Sequence, residues 1–104
     1  MNPLLQQKLF DAGPILYDLR NRPMPECRCM DRGIECPDEW FTPLMILTMI
    51  LEFHNRQNPN DVIHATQVKY KFNHLCFYTD RISDDENDFL NYIINMFEAN
   101  TKDE

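Results

Sequence analysis

The chain has 104 residues, which is room for one domain, residues 1–104. Hydrophobic residues make up 43% and charged residues 26%, as in ordinary globular proteins, so disorder throughout is excluded. Ten basic residues against seventeen acidic ones give a net charge of -7, which argues against nucleic acid as a direct partner.

The apolar segments bear on location. The longest apolar run, Leu44 to Leu51, spans about two helical turns and is too short to cross a bilayer. The first residues do not form a basic and then apolar leader, so we expect no secretion through a signal peptide. The sequence therefore predicts a cytoplasmic protein without a membrane partner.

The first third of the chain predicts short helices and a loop. Asn2-Pro3 has the residue types of a helix start, and Gly13-Pro14 interrupts that helix. Helical spacing of apolar residues over 15–20 predicts a second short helical piece. Residues 21–36 contain two prolines, three cysteines and a glycine. They show neither the helical nor the strand period, which predicts a long loop.

A long helix and a hairpin follow. Asp38 has the position of a helix cap, and residues 39–56 are apolar on most helical faces, as expected of a central core helix. The turn residues 58–61 end it. Residues 62–72 and 75–79 then alternate with period two, and Asn73-His74 between them predicts a two-residue turn.

The last predicted element is a helix. Ser83 and Glu86 form a capping box, and the helix continues to about Thr101. Its predicted apolar face consists of Phe89, Leu90, Ile93, Ile94 and Phe97. We therefore predict an α+β fold, with about three helices packed on one face of a small antiparallel β-hairpin sheet. The predicted core consists of Trp40, Leu44, Leu47, Leu51, Val68, Phe72, Leu75, Phe77, Leu90, Ile94 and Phe97.

Two stretches resemble a family of small phage and prophage proteins. Cys27–Trp40 is similar to that family's Cys-Met-x-x-Gly-x-Glu-Cys-Gly-Asp-Gly-Trp motif, and Gln67–Tyr78 to its Gln-Val-Lys-x-Lys-Phe-x-x-Leu-x-Phe-Tyr motif. Pro37 and Glu39 replace two glycines of the first motif. The Cys-x-x-Cys that many relatives carry after the last helix is absent from this sequence. The resemblance implies a phage or prophage origin.

The four cysteines are the strongest candidates for a metal site. Four thiolates from Cys27, Cys29, Cys36 and Cys76 would suit a tetrahedral zinc ion, with His54 or His74 as a substitute ligand. The spacing is not that of two Cys-x-x-Cys knuckles, and reduced cysteines packed as small hydrophobic side chains are the other reading. We expect no cofactor and keep a zinc-stabilised structural or regulatory module as the alternative function.

Catalysis is not predicted. The three histidines, His54, His64 and His74, fall at a helix end, in a strand and in a turn, and none stands in a nucleophile motif. Ser83 is explained as a helix cap. We therefore expect a protein that is not an enzyme.

The acidic residues are concentrated at the end of the chain. Residues 80–104 hold eight acids against two bases, and Asp84, Asp85, Glu86 and Asp88 crowd the predicted start of the last helix. These carboxylates either stabilise the helix dipole or form a surface that docks on a basic groove. Tyr70 and Tyr78 of the hairpin are the other candidate contacts.

Together these features lead to one functional hypothesis. We expect a phage-encoded, acidic binding protein that inhibits a bacterial host or antiviral-defence protein through protein-protein contact. The partner would be a host protein of the nucleic-acid-binding class, such as a defence effector, in the cytoplasm of the host bacterium. The comparison with anti-CRISPR proteins is an analogy of origin and size, since no residue motif carries it.

Overall fold

The computed structural model describes residues 1–72, 74–80 and 89–100. Its fold is α+β, with three longer helices and a three-stranded mixed sheet in this part of the chain. The elements in chain order are α1 (Pro3–Ala12), β1 (Ile34–Glu35), α2 (Phe41–Gln57), β2 (Ala65–Lys71), β3 (His74–Thr79) and α3 (Phe89–Asn100). Short 3-10 turns lie at Asp18–Asn21, Met30–Arg32 and Asp38–Trp40.

The start and end of α1 are confirmed. The side chain of Asn2 accepts a hydrogen bond from the backbone N–H of Leu4 at 2.8 Å and so caps the helix. Gly13 follows the last turn, where a Cβ atom would lie 2.8 Å from Cγ2 of Thr48 in α2. Glycine at this position therefore lets α1 approach α2 closely.

The sheet differs from the predicted antiparallel hairpin. β1 pairs with β2 in parallel, with Ile34 opposite Val68, and β2 pairs with β3 antiparallel, so β2 is the central strand. The prediction of a purely antiparallel sheet was wrong because β1 has two residues, too few to show a period. It lies inside the stretch that we interpreted as a loop.

The hairpin also departs from strict alternation. The pairing of β2 with β3 shifts register between Ala65 and Gln67, which marks a bulge. β2 begins at Ala65, three residues after the predicted start. Phe72 has a positive φ of 53° and is 77% exposed, so its prediction as a core residue was wrong. Of the two predicted turn residues, His74 is instead the first residue of β3, and Asn73 lies outside the described residues.

Three polar side chains are buried on the core face of α2. A Glu52 oxygen accepts the backbone N–H of Leu16 at 2.9 Å, and the hydroxyls of Thr48 and Tyr17 lie 2.7 Å apart. The amide of Asn55 bonds both backbone groups of Ile63. These bonds hold the segments after α1 and before β2 against the helix, because buried polar groups need partners.

The start of α2 differs in detail from the prediction. Asp38 begins a 3-10 turn, and α2 itself starts at Phe41. The carboxylate of Asp38 accepts the backbone N–H of Asn2 at 2.6 Å instead of capping α2. Asp38 therefore fastens the N-terminus of the chain to the entrance of the long helix.

The predicted core is confirmed with two exceptions. Phe72 is exposed and Phe97 is only partly buried, while the other predicted residues are buried. Residues that lie in the core without having been predicted are Leu9, Leu16, Tyr17, Met30, Ile34 and Ile63, among others. They come from the first third of the chain and the segment before β2, where the sequence shows no long period.

The last helix lies beside the edge strand β3. The carboxylate of Glu98 in α3 accepts the backbone N–H of Phe77 at 2.9 Å, which satisfies a donor that the edge of the sheet leaves unpaired. The predicted helix start at Ser83 and Glu86 and its end at Thr101 lie outside the described residues. Within those residues, the helices lack the length and apolar character needed to span a membrane.

Candidate functional site

Three of the four cysteines are buried in the fold. Cys27 is buried, and its Sγ lies 2.9 Å from Sδ of Met24. Cys29 is partly exposed, while Cys36 and Cys76 are buried. Burial raises the pKa of Cys36 to about 12, so this thiol is protonated at neutral pH.

A metal site is not assembled in the described part of the chain. There, no three His, Cys, Asp or Glu side chains lie together in a way that could hold a metal ion. The alternative ligands are engaged with the backbone, since His54 Nε2 lies 2.8 Å from the Asp61 carbonyl and His74 Nδ1 lies 3.1 Å from the Phe72 carbonyl. The absence of a cofactor stays a prediction, with zinc as its alternative, for metal analysis to test.

His64 and Asp80 form a pair that sequence reasoning missed. Asp80 accepts the backbone N–H of His64 and lies 2.8 Å from its Nδ1, while the backbone N–H of Asp80 donates to the His64 carbonyl. These bonds close the open end of the hairpin.

The two candidate tyrosines lie on opposite faces of the hairpin. Tyr70 pairs with Leu75, and its ring packs edge-on against Trp40 with the ring centres 5.4 Å apart. Tyr78 pairs with Gln67 and is 44% exposed. Because neighbouring residues of a strand alternate between faces, the two tyrosines do not share one surface.

The outer side of α3 is apolar. Phe89, Tyr92 and Met96 recur at i, i+3 and i+7, and the first two are 70% and 63% exposed. We call these three residues the α3 stripe. Leu90, Ile93 and Ile94 of the same helix are buried, so the helix carries apolar residues on two sides.

A second set of exposed apolar residues lies on α2. Ile46, Met49 and Phe53 follow the same spacing on the side opposite the core, and Phe53 is 66% exposed. Phe53 and Met49 border a shallow hollow beside Ala12 of α1. The prediction that α2 is a central core helix therefore holds for one face only.

The predicted acidic residues adjoin the α3 stripe in sequence. Asp84, Asp85, Glu86 and Asp88 lie outside the described residues, and Asp88 immediately precedes Phe89. The chain thus joins a run of carboxylates directly to an exposed apolar helix face. The spacing of Phe89, Tyr92 and Met96 is the sequence signal that would have revealed the stripe.

Comparisons with known families, with curated proteins and with solved structures give no match to the chain.

Proposed function

We propose that the chain is a non-catalytic, phage-encoded protein that inhibits a bacterial host or antiviral-defence protein by binding to it. The phage origin is supported by the two sequence motifs of Cys27–Trp40 and Gln67–Tyr78. The binding mode is supported by the α3 stripe, which is the single observation on which the proposal depends.

The α3 stripe has the composition of an interface centre. Aromatic and methionine side chains are enriched in interfaces, and contiguous exposed apolar residues on a small protein mark contact sites. The stripe contributes a phenylalanine, a tyrosine and a methionine from consecutive turns of one helix. The fold itself gains little from them, since Phe89 and Tyr92 are mostly exposed.

The charge of the neighbouring segment indicates the chemistry of the partner. An interface places charged residues at the rim, where they steer association. Four carboxylates between Asp84 and Asp88 precede the stripe, so the complementary partner has an apolar patch with a basic border. Effectors that hold nucleic acid have such basic surfaces, and we propose this class of host protein as the target.

A non-catalytic role is supported by the bonding of the histidines. His54 and His74 contact backbone carbonyls, and His64 is bonded to Asp80 at the end of the hairpin. Each histidine is thus engaged in holding the fold.

The test begins with affinity capture from phage-infected cells and continues with the purified target. Tyr92→Ser should weaken direct binding by at least tenfold, because buried aromatic anchors carry much of an interface's energy. Phe53→Ser is the matched control, since it removes an equally exposed aromatic residue from a different helix, α2. This control should bind within about twofold of wild type.

Two results would contradict the proposal. Equal affinity for the target in wild type and Tyr92→Ser would remove the α3 stripe from the interface. Turnover of the captured molecule by the purified chain would show that the protein is an enzyme.

A further inference from the structure

A groove of about 470 Å³ opens on the hairpin face that carries Tyr78. It lies between the segment around Arg28 and the outer side of β2 and β3. The residues that line it include Arg28, Thr66, Gln67, Lys69, Tyr78 and Thr79. The groove is a shallow, open depression with room for a small ligand.

The wall of the groove is fastened to the sheet. The backbone N–H of Cys29 donates to the carbonyl of Thr66 at 3.1 Å, beside the bulge in β2. Arg28 has a positive φ of 56°, a conformation that non-glycine residues rarely adopt and that tends to mark turns and functional sites. The backbone of Arg28 is therefore held beside β2.

The opposite wall presents a lysine and a phenol. The Nζ atom of Lys69 lies 5.7 Å from the centre of the Tyr78 ring. A hydrogen bond with the side chain of Cys76 raises the pKa of Tyr78, so the phenol is neutral at pH 7. Thr66 and Thr79 add hydroxyl groups that can donate hydrogen bonds.

The charge of the groove is opposite to that of the chain. Acids outnumber bases by seventeen to ten overall, yet none of the described residues that line this groove is acidic. No ion pair joins Arg28 or Lys69 to a carboxylate within the described residues, although Glu35 is the register neighbour of Lys69 in β1. Arg28 also lines a neighbouring hollow together with Glu26 and Asp80. The described lining of the groove itself consists of two cationic residues and of uncharged residues.

From this arrangement we propose that the groove binds the phosphate group of a small phosphorylated molecule. A guanidinium offers two parallel donors to phosphate oxygens, and an ammonium offers a point charge beside them. The threonine hydroxyls supply donors for the remaining oxygens, and the rest of the groove takes the body of the ligand. The site is independent of the α3 stripe.

The proposal is tested by NMR titration of the full chain with AMP and with glucose 6-phosphate, with adenosine and glucose as uncharged controls. At least one of the two phosphates should give saturable shifts at the amides of Thr66, Gln67 and Thr79, with a dissociation constant below about 1 mM. The uncharged compounds should give none. Inorganic phosphate, titrated separately, should shift the same amides.

Variants distinguish the groove from general attraction of anions. Arg28→Gln and Lys69→Gln should each weaken binding about tenfold, because each removes a charge-assisted hydrogen bond. Lys71→Gln is the matched control, since Lys71 lies on the same strand over the Phe72 ring and does not line the groove. It should bind within about twofold of wild type.

Three results would overturn the proposal: no saturation by either phosphate compound, equal shifts with the uncharged controls, or an equal loss of binding in Lys71→Gln. Because none of these measurements involves the host target, their failure would leave the proposed inhibition to be judged on its own experiment.

Discussion

The hydrogen bonds of the buried Asn55 side chain predict that replacing this one residue strongly destabilises the fold. Asn55 is 1% exposed on the core face of α2. Its Nδ2 donates to the carbonyl of Ile63 at 2.9 Å, and its Oδ1 accepts the backbone N–H of Ile63 at 2.7 Å. Ile63 precedes β2 and is fully buried, so the amide takes the place of a neighbouring strand for this residue.

Asn55→Ala would leave two buried backbone groups without partners. Each such group costs about 1–3 kcal/mol, so we expect a loss of about 2–6 kcal/mol in the free energy of unfolding. That loss is a large part of the total stability of a small domain, about 5–15 kcal/mol. Asn95→Ala is the control, because Asn95 is exposed on α3 and its loss should change the stability by less than about 0.5 kcal/mol.

Urea denaturation followed by fluorescence of Trp40 measures both variants. Asn55→Ala should lower the midpoint while the slope stays near that of wild type. If the midpoint of Asn55→Ala shifted no more than that of Asn95→Ala, the two bonds to Ile63 would not hold the segment before β2 as described.

The remaining predictions concern the core, pH and metal. In the same assay, Leu47→Ala should lower the free energy of unfolding by about 2–5 kcal/mol, because Leu47 is fully buried. Phe53→Ala should lower it by less than about 0.5 kcal/mol, because Phe53 is largely exposed. Similar losses in the two variants would refute the orientation of α2. Burial raises the pKa of Glu98, so folding disfavours the charged form of this carboxyl group. The contribution of Glu98 to stability therefore falls as the pH rises above the pKa that Glu98 has in the unfolded chain. Glu98→Gln keeps an acceptor for the backbone N–H of Phe77. Its stability relative to wild type should therefore rise as the pH is raised from acidic to neutral. A difference in stability that stays constant across this range would contradict the prediction. Elemental analysis of protein purified without added metal should find no stoichiometric zinc, and about one zinc per chain would instead favour the zinc-stabilised module.

Much of the helical framework could be predicted because long elements repeat their pattern several times. α1 lies between Asn2 and Gly13 as the capping and breaking residues indicate, and α2 follows its apolar run. β1 could not be predicted, since a strand of two residues shows no period and depends on pairing with β2. Its position is decided by tertiary contacts.

Other features depend on contacts that a single sequence does not reveal. The burial of Thr48 and Glu52 is explained by their partners in distant segments, more than 30 residues away. Phe72 looked like a core residue because it continues the alternation of β2, but the strand ends at Lys71 and Phe72 lies in the turn. Local pattern therefore predicts the elements better than their ends.

The candidate site was predictable in part. The acidic run from Asp84 to Asp88 is visible by counting, and the α3 stripe follows from the spacing of Phe89, Tyr92 and Met96. The separation of the two hairpin tyrosines also follows from alternation once the strand pairing is known. The groove beside Arg28 was not predictable, because the segment that contains it shows no period and is positioned by its bond to Thr66.

The central claim is that the protein binds its host target through the acidic segment and the α3 stripe. The rate of association with the captured target tests this claim most directly. Replacing Asp84, Asp85 and Asp88 together by asparagine removes three charges while keeping side-chain size, and circular dichroism should show an unchanged fold. At low salt the triple variant should associate at least tenfold more slowly than wild type, with a weaker dependence on salt, because rim charges act mainly on the association rate. Association of the triple variant at the wild-type rate at low salt would contradict it.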